Sequence, residues 1–261
     1  MISTKDVSYI YCINLERRKD RKVKMEEMFS KIFPSIPVHF IQAVDGLKHG
    51  IHPRKACGMS HINAITLAKA AKLPNVLICE DDIEFSSNST YHLRRAIKHI
   101  NNKGILSLGT YCIYGEPIPT AAQTQHGVFC VNGHSITGTM ALYYTSSVYD
   151  IVINSITKGI EKNDKIHIDG GIFGQLSKRN IIKYNLVWPM IIKETGSFSD
   201  NIRSSNMDLN TTTTTLNRIR DKKLWWDSFG TPQKLSPRHS TTVLPRRASN
   251  KVKNEIFAFA V

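Results

Sequence analysis

Glu80, Asp81 and Asp82 stand side by side, with Glu84 close behind, directly after the apolar run Val76-Leu77-Ile78-Cys79. Adjacent carboxylates disfavour one another's ionised forms, so a chain that crowds them at the end of a buried segment needs a neutralising partner. The sequence shows no counter-charge beside them. Three arrangements fit: a solvated acidic surface, the first turn of a helix whose dipole favours negative charge, or a site for a hard divalent cation. Mg²⁺ or Mn²⁺ suits oxygen ligands and bridges to phosphate, and placement straight after a buried run speaks against the first arrangement.

Four further clusters carry reactive side chains. In "INLERRKDR", Asn14 and Leu15 close an apolar segment and Arg17, Arg18 and Arg21 follow. Backbone N–H groups and guanidinium forks there suit phosphate, although Arg17 and Arg21 at i,i+4 equally suit a solvated helix face. In "ACGMSHINA", Gly58 permits a close approach, and Ser60 and His61 stand where a helix starts; a lone histidine there is more often structural than a ligand. Asp169 in "HIDGGIF" has the position of a helix N-cap. Ser199 and Asp200 in "ETGSFSDN" read as a turn. The cysteines, Cys12, Cys57, Cys79, Cys112 and Cys130, form no CxxC pair, so they signal no zinc site, nucleophile or disulfide framework, and reduced thiols in a cytosolic protein are expected.

These residues are held by alternating strands and helices. "VSYIYCINL", from Val7 to Leu15, reads as a buried strand, and the segment after it spaces Met25, Met28, Phe29, Ile32 and Phe33 as a helix face. "VHFIQAV" is a second strand ending near Asp45-Gly46. Ser60 is expected to cap the helix that follows, and Asn75–Phe85 is the third strand. A helix from Tyr91 to Ile100, a strand in "GILSLG", a strand and helix in "TGTMALYYTSSVYDIVINSI", a helix after "HIDGG", and a strand in "IIKYNLVWPMII" interrupted by Pro189 continue the order; 111–138 reads as loop. The class is therefore α/β, in which ligands bind at the carboxyl ends of the strands.

The chain has 261 residues and a formal net charge of +14, a balance that favours anionic partners without choosing among them. Residues 201–261 hold eleven Lys or Arg against four Asp or Glu and carry +7 of it. This stretch reads as a weakly ordered basic extension, with Trp225-Trp226 as a docking element. No apolar run approaches the roughly 20 residues that span a bilayer, and no secretory signal opens the chain. A soluble, cytoplasmic protein with at most peripheral membrane contact is expected.

Taken together, "YIYCINLERRKDR", "ACGMSHINAI", "VLICEDDIEF", "GTMALYYTSS", "HIDG" and "ETGSFSDN" resemble the ordered motifs of glycosyltransferase family 25, the lipooligosaccharide and collagen galactosyltransferases. The resemblance covers about residues 7 to 202. It implies a GT-A fold over residues 1–202, with residues 203–261 as the basic extension. It also implies an inverting transfer of a hexose, galactose above all, from UDP-galactose or UDP-glucose with Mn²⁺ or Mg²⁺. On that basis Asp82, with Glu80, holds the metal, and Glu80 or Asp81 contacts the ribose or supports the ligand from behind. Asn14, Leu15, Arg17 and Arg21 line the nucleotide pocket with Gly58, Ser60 and His61, and Asp45 contacts the uridine or ribose. Asp169 is the base that takes the acceptor proton, with Asp200 second. The acceptor is a glycan, a lipid-linked oligosaccharide such as lipooligosaccharide, or a protein hydroxyl, and the basic tail offers contact with an anionic membrane. Two other classes compete: a catalytically silent binding module of the same fold, and a metal-dependent nuclease or nucleic-acid binder, ranked low because the tail has little aromatic interleaving.

Overall fold

The computed structural model describes residues 2–100, 104–110, 113–114, 128–130, 135–187 and 190–195. The expectations for Asp200, Trp225-Trp226 and the basic extension lie outside these residues.

Chain order runs β1 (Ile10–Asn14), α1 (Lys19–Ile32), β2 (Val38–Gln42), α2 (Gly46–His49), α3 (Pro53–Ala70), β3 (Asn75–Glu80), β4 (Ile83–Phe85), α4 (Ser89–Ile100) and β5 (Ile105–Ser107). It continues through β6 (Ile113–Tyr114), β7 (Val128–Cys130), β8 (Ser135–Ile136), β9 (Ala141–Thr145), α5 (Tyr149–Lys162), a π-helical turn over Ile168–Phe173, α6 (Gly174–Lys178), β10 (Tyr184–Val187) and β11 (Ile192–Glu194). Seven strands form one mixed sheet in the order β2-β1-β3-β9-β5-β10-β7. β2, β1 and β3 run parallel, and β9 is inserted antiparallel between β3 and β5. The α/β expectation holds.

Alternation along the central strands explains why their sequences are apolar throughout. Ile10 and Cys12 of β1, Leu77 and Cys79 of β3 and Tyr143 of β9 pack with Met25 and Phe29 of α1 and Leu93 and Ile97 of α4. Tyr11, Ile13, Val76, Ile78, Leu142 and Tyr144 point the other way, onto Ala64 and Ile65 of α3 and Val152 and Ile156 of α5. With helices on both faces, β1 and β9 bury every side chain and β3 all but Glu80. Among the described residues, no helix is long and apolar enough to cross a membrane.

Local expectations change in two places. The strand read over Asn75–Phe85 is two, β3 and β4, with Asp81 and Asp82 in the turn between them, and β4 pairs with β11 in a separate sheet. The helix expected to open at Ser60 starts earlier, as α3: His52 is the N-cap, accepting from Arg54 N, and Pro53 opens the helix, where its missing N–H costs nothing. Ser60 is therefore mid-helix and not a cap; its hydroxyl donates back to Ala56 O at 2.8 Å and accepts from Val44 N at 2.9 Å. His61 likewise sits inside the helix. Gly58 does serve a close approach, but between helices: a Cβ there would lie 3.2–3.3 Å from methyls of Ile160, Ile156 and Ile168. Gly58→Leu should lower stability by about 1–3 kcal/mol through overpacking at the α3–α5 contact, read as a lower urea midpoint with an unchanged slope.

Candidate functional site

A cleft of about 550 Å³, counting the solvent space at its mouth, lies at the carboxyl ends of β1, β2 and β3. Its lining includes Ile13, Leu15, Arg21, Ala43, Val44, Cys57, Ser60, His61, Glu80, Asp81 and Asp82. Parallel pairing explains the convergence. β1 is flanked by β2 and β3, with Ile13 beside Ile41 on one side and beside Glu80 on the other, so three loops leave the sheet at one edge.

The counter-charge absent from the local sequence comes from α1. Arg21 is 6% exposed, and its Nη1 donates to Asp81 Oδ1 at 2.7 Å and to Asp82 Oδ2 at 3.0 Å. Asn14 Nδ2 donates to the other Asp81 oxygen at 2.6 Å and to Arg18 O at 3.1 Å. The neutralising group that the neighbouring sequence lacks thus comes from 60 positions away. One guanidinium serves two buried carboxylates and cannot neutralise both in their ionised forms. Asp82 Oδ1 is buried without a hydrogen-bond partner among the described residues. Burial first, and then the charge of Glu80, pushes the Asp82 carboxyl up to about 7 against the pull of Arg21. Asp81 is also raised, by burial above all, with Arg21 and Asn14 opposing. A bare, buried carboxylate oxygen beside uncompensated negative charge fits a hard dication.

Glu80 departs from its neighbours. As the last residue of β3, it turns toward α3: Thr139 Oγ1 donates to its Oε1, and His61 Nε2 lies 3.7 Å from the same oxygen. Burial opposes its ionisation, but the facing His61, the Thr139 hydrogen bond and the charge of Arg21 outweigh it and hold the pKa below the usual carboxylate value. Cys57, one helical turn before His61, brings Sγ to 3.8 Å from Thr139 Oγ1. One ligand atom each from Cys57, His61 and Glu80 lie within 4.8 Å of one another. The cysteine spacing signals no zinc site, yet the fold brings Cys57 together with His61 and Glu80 in an arrangement that could hold a metal ion; the C-x-x-x-H spacing on one helix face was its only sequence signal. Thr139, from the segment before β9, gave none.

The remaining candidates lie nearby without lining the cleft. Asp45 caps α2, accepting from Leu47 N at 3.1 Å and Lys48 N at 3.2 Å, and pairs with Arg17; Gly58 faces α5. Asp169 lies in the π-helical turn, a distortion frequent at functional sites, and is 6% exposed. It is not the N-cap, which is His167. Its Oδ2 accepts from Gly138 N and its Oδ1 from Gly170 N, both at 2.6 Å. Gly138 has φ of 104°, a conformation that favours glycine, and its successor Thr139 reaches Glu80. A two-residue strap thus joins Asp169 to the cleft wall.

Residues 51–154 match the family described as Glycosyltransferase family 25 (LPS biosynthesis protein). A Drosophila melanogaster protein described as a Glycosyltransferase 25 family member is 32% identical over 116 residues, covering 35% of this chain and 18% of that protein. The crystal structure of mannose-1-phosphate geranyltransferase from Thermus thermophilus aligns with a TM-score of 0.43 and 9% identity, over 73% of this chain and 76% of that one.

Proposed function

We propose, from the match of residues 51–154 to glycosyltransferase family 25, that this chain transfers a hexose, galactose or glucose, from a UDP-sugar to a hydroxyl acceptor with inversion. The observation that carries the proposal is the bare oxygen of Asp82, buried beside Asp81 and Arg21 at the carboxyl edge of the sheet. That edge is where open α/β sheets bind nucleotides.

Asp82 would hold Mn²⁺ or Mg²⁺, while Arg21 and Asn14 fix the acidic turn from behind. An ion held there would supply charge neutralisation for a departing diphosphate. Ile13, Leu15, Ala43 and Val44 give the cleft an apolar wall suited to the face of a nucleobase. Asp45 and Arg17, paired with each other, would contact the ribose or the mouth of the site. Asp169 accepts the acceptor's proton, and Asp200 is the other candidate. We assign residues 1–202 to the transferase domain and 203–261 to an extension whose charge suits an anionic membrane or a glycan acceptor.

Thermal unfolding of the purified chain with UDP-galactose or UDP-glucose tests this directly. A donor at about 100 times its Kd stabilises the fold by about 2.7 kcal/mol, and the shift should appear with Mn²⁺ and vanish in EDTA. No shift with any UDP-sugar would sink the proposal. Asp169→Asn should abolish transfer while UDP binding persists. The same change sets an amide NH₂ against a backbone N–H at Gly138 or Gly170, costing about 1–3 kcal/mol of stability. Full transfer by the variant moves the base elsewhere.

A further inference from the structure

We propose that Cys57, His61 and Glu80 form a second metal site, of thiolate–imidazole–carboxylate type and matched to Zn²⁺, distinct from the all-oxygen station at Asp82. The inference does not depend on the UDP-sugar proposal.

The three side chains converge from two elements. Cys57 and His61 are one turn apart on α3 and so share its face, and Glu80 meets them from the end of β3. His61 Nε2 and Glu80 Oε1 are 3.7 Å apart, close to the edge of a tetrahedron with bonds of about 2.0–2.1 Å. The full set spans at most 4.8 Å; closing onto Zn²⁺ needs a contraction of about 1 Å, given Zn–S near 2.3 Å. A second observation points the same way. His61 is 1% exposed, and both ring nitrogens lack a hydrogen-bond partner among the described residues. Buried polar atoms are ordinarily paired; here Nε2 faces the Glu80 carboxylate at 3.7 Å, beyond hydrogen-bond reach, and Nδ1 meets no hydrogen-bond partner among the described residues, so the imidazole keeps ligand capacity that those residues leave unused.

Ligand chemistry selects the metal. Mn²⁺ and Mg²⁺ favour oxygen, whereas thiolate with imidazole favours zinc. Burial and the charge of Glu80 keep the free thiol protonated; a coordinating dication displaces that proton, which leaves to solvent, so one proton is released as the Zn–S bond forms. Thr139 supports two ligands at once, donating to Glu80 and contacting Cys57, as outer groups around metal sites do. All three ligands line the cleft, so the fourth position is open to water or to an oxygen of a bound molecule.

Cobalt(II) reports this site without any enzymatic assay. Co²⁺ added to the metal-stripped 261-residue chain in excess Mn²⁺ should produce one equivalent of a near-ultraviolet thiolate-to-cobalt charge-transfer band, discharged by Zn²⁺. Cys57→Ser and His61→Gln should lose the band with unchanged circular dichroism, while Cys12→Ala and Asp82→Ala keep it. Absence of the band from the folded wild-type chain, or its survival in Cys57→Ser, overturns the proposal. Loss of the band in Asp82→Ala overturns the separation into two stations. Should Cys57→Ser fail to fold, His61→Gln and the wild-type titration decide alone.

Discussion

Asp82→Asn is expected to cut metal-dependent sugar transfer by about a thousandfold, the scale on which removing one electrostatic contributor slows catalysis, while leaving the fold intact. The substitution is nearly isosteric. Its carbonyl oxygen can keep the hydrogen bond from Arg21 that Asp82 Oδ2 accepts at 3.0 Å, and its NH₂ takes the place of the bare oxygen, where a cation would otherwise bind. The variant should therefore show no donor-dependent shift with Mn²⁺. Acidity supplies a second readout. With the Asp82 carboxyl pushed up to about 7 by burial and by Glu80, a metal must displace its proton, so Mn²⁺ affinity should rise by about tenfold per pH unit up to that value and then level off. The sign for stability is opposite. Between an unfolded carboxyl pKa of about 3.9 and about 7, the metal-free folded state holds a proton that the unfolded state has released. Asp82's contribution to stability thus falls as pH rises through that window, and Asp82→Asn should flatten the slope. Mn²⁺ affinity that is flat with pH, or an unaltered affinity in the variant, places the ion elsewhere.

The strands of this site are legible from composition, and the contacts between them are not. Val76-Leu77-Ile78-Cys79 and Ile10-Tyr11-Cys12-Ile13 read as buried because both sheet faces are covered. Alternation of apolar residues cannot reveal that β9 inserts antiparallel between β3 and β5, since strand order is a tertiary property. The start of α3 escapes a sequence reading because Pro53, Arg54 and Lys55 read as loop chemistry, although proline is at home in the first turn. Arg21 is the instructive case. Its spacing from Arg17 suggests a solvated or phosphate-binding stripe, whereas it points inward and meets carboxylates 60 and 61 positions away. The acidic trio likewise looks like one unit. Successive residues of a strand face opposite ways, and where β3 gives way to a turn this sends Glu80 to His61 and Asp81 to Arg21.

Arg21→Met should be the most destabilising single change at the site, lowering the unfolding free energy by about 3–5 kcal/mol, because removing one partner of a buried ionic group strands the other. Here it strands two, each 9% exposed. Asn14 still donates to Asp81, but one neutral donor does not offset two adjacent charges. A neutralising double change, Asp81→Asn with Asp82→Asn on the Arg21→Met background, should restore most of the loss, since replacing a whole buried ionic cluster with neutral groups is often nearly neutral. Metal separates the two roles of the arginine. If Arg21 and a dication share the task of compensating this turn, Mn²⁺ should raise the urea midpoint of Arg21→Met more than that of the wild type, the ion taking over charge the guanidinium leaves behind. A loss below about 1 kcal/mol, the scale of an exposed ion pair, would show that the acids are protonated or hydrated in solution and that the turn needs no cation. A large loss with equal Mn²⁺ responses would keep Arg21 as the structural counter-charge and put the ion out of its reach.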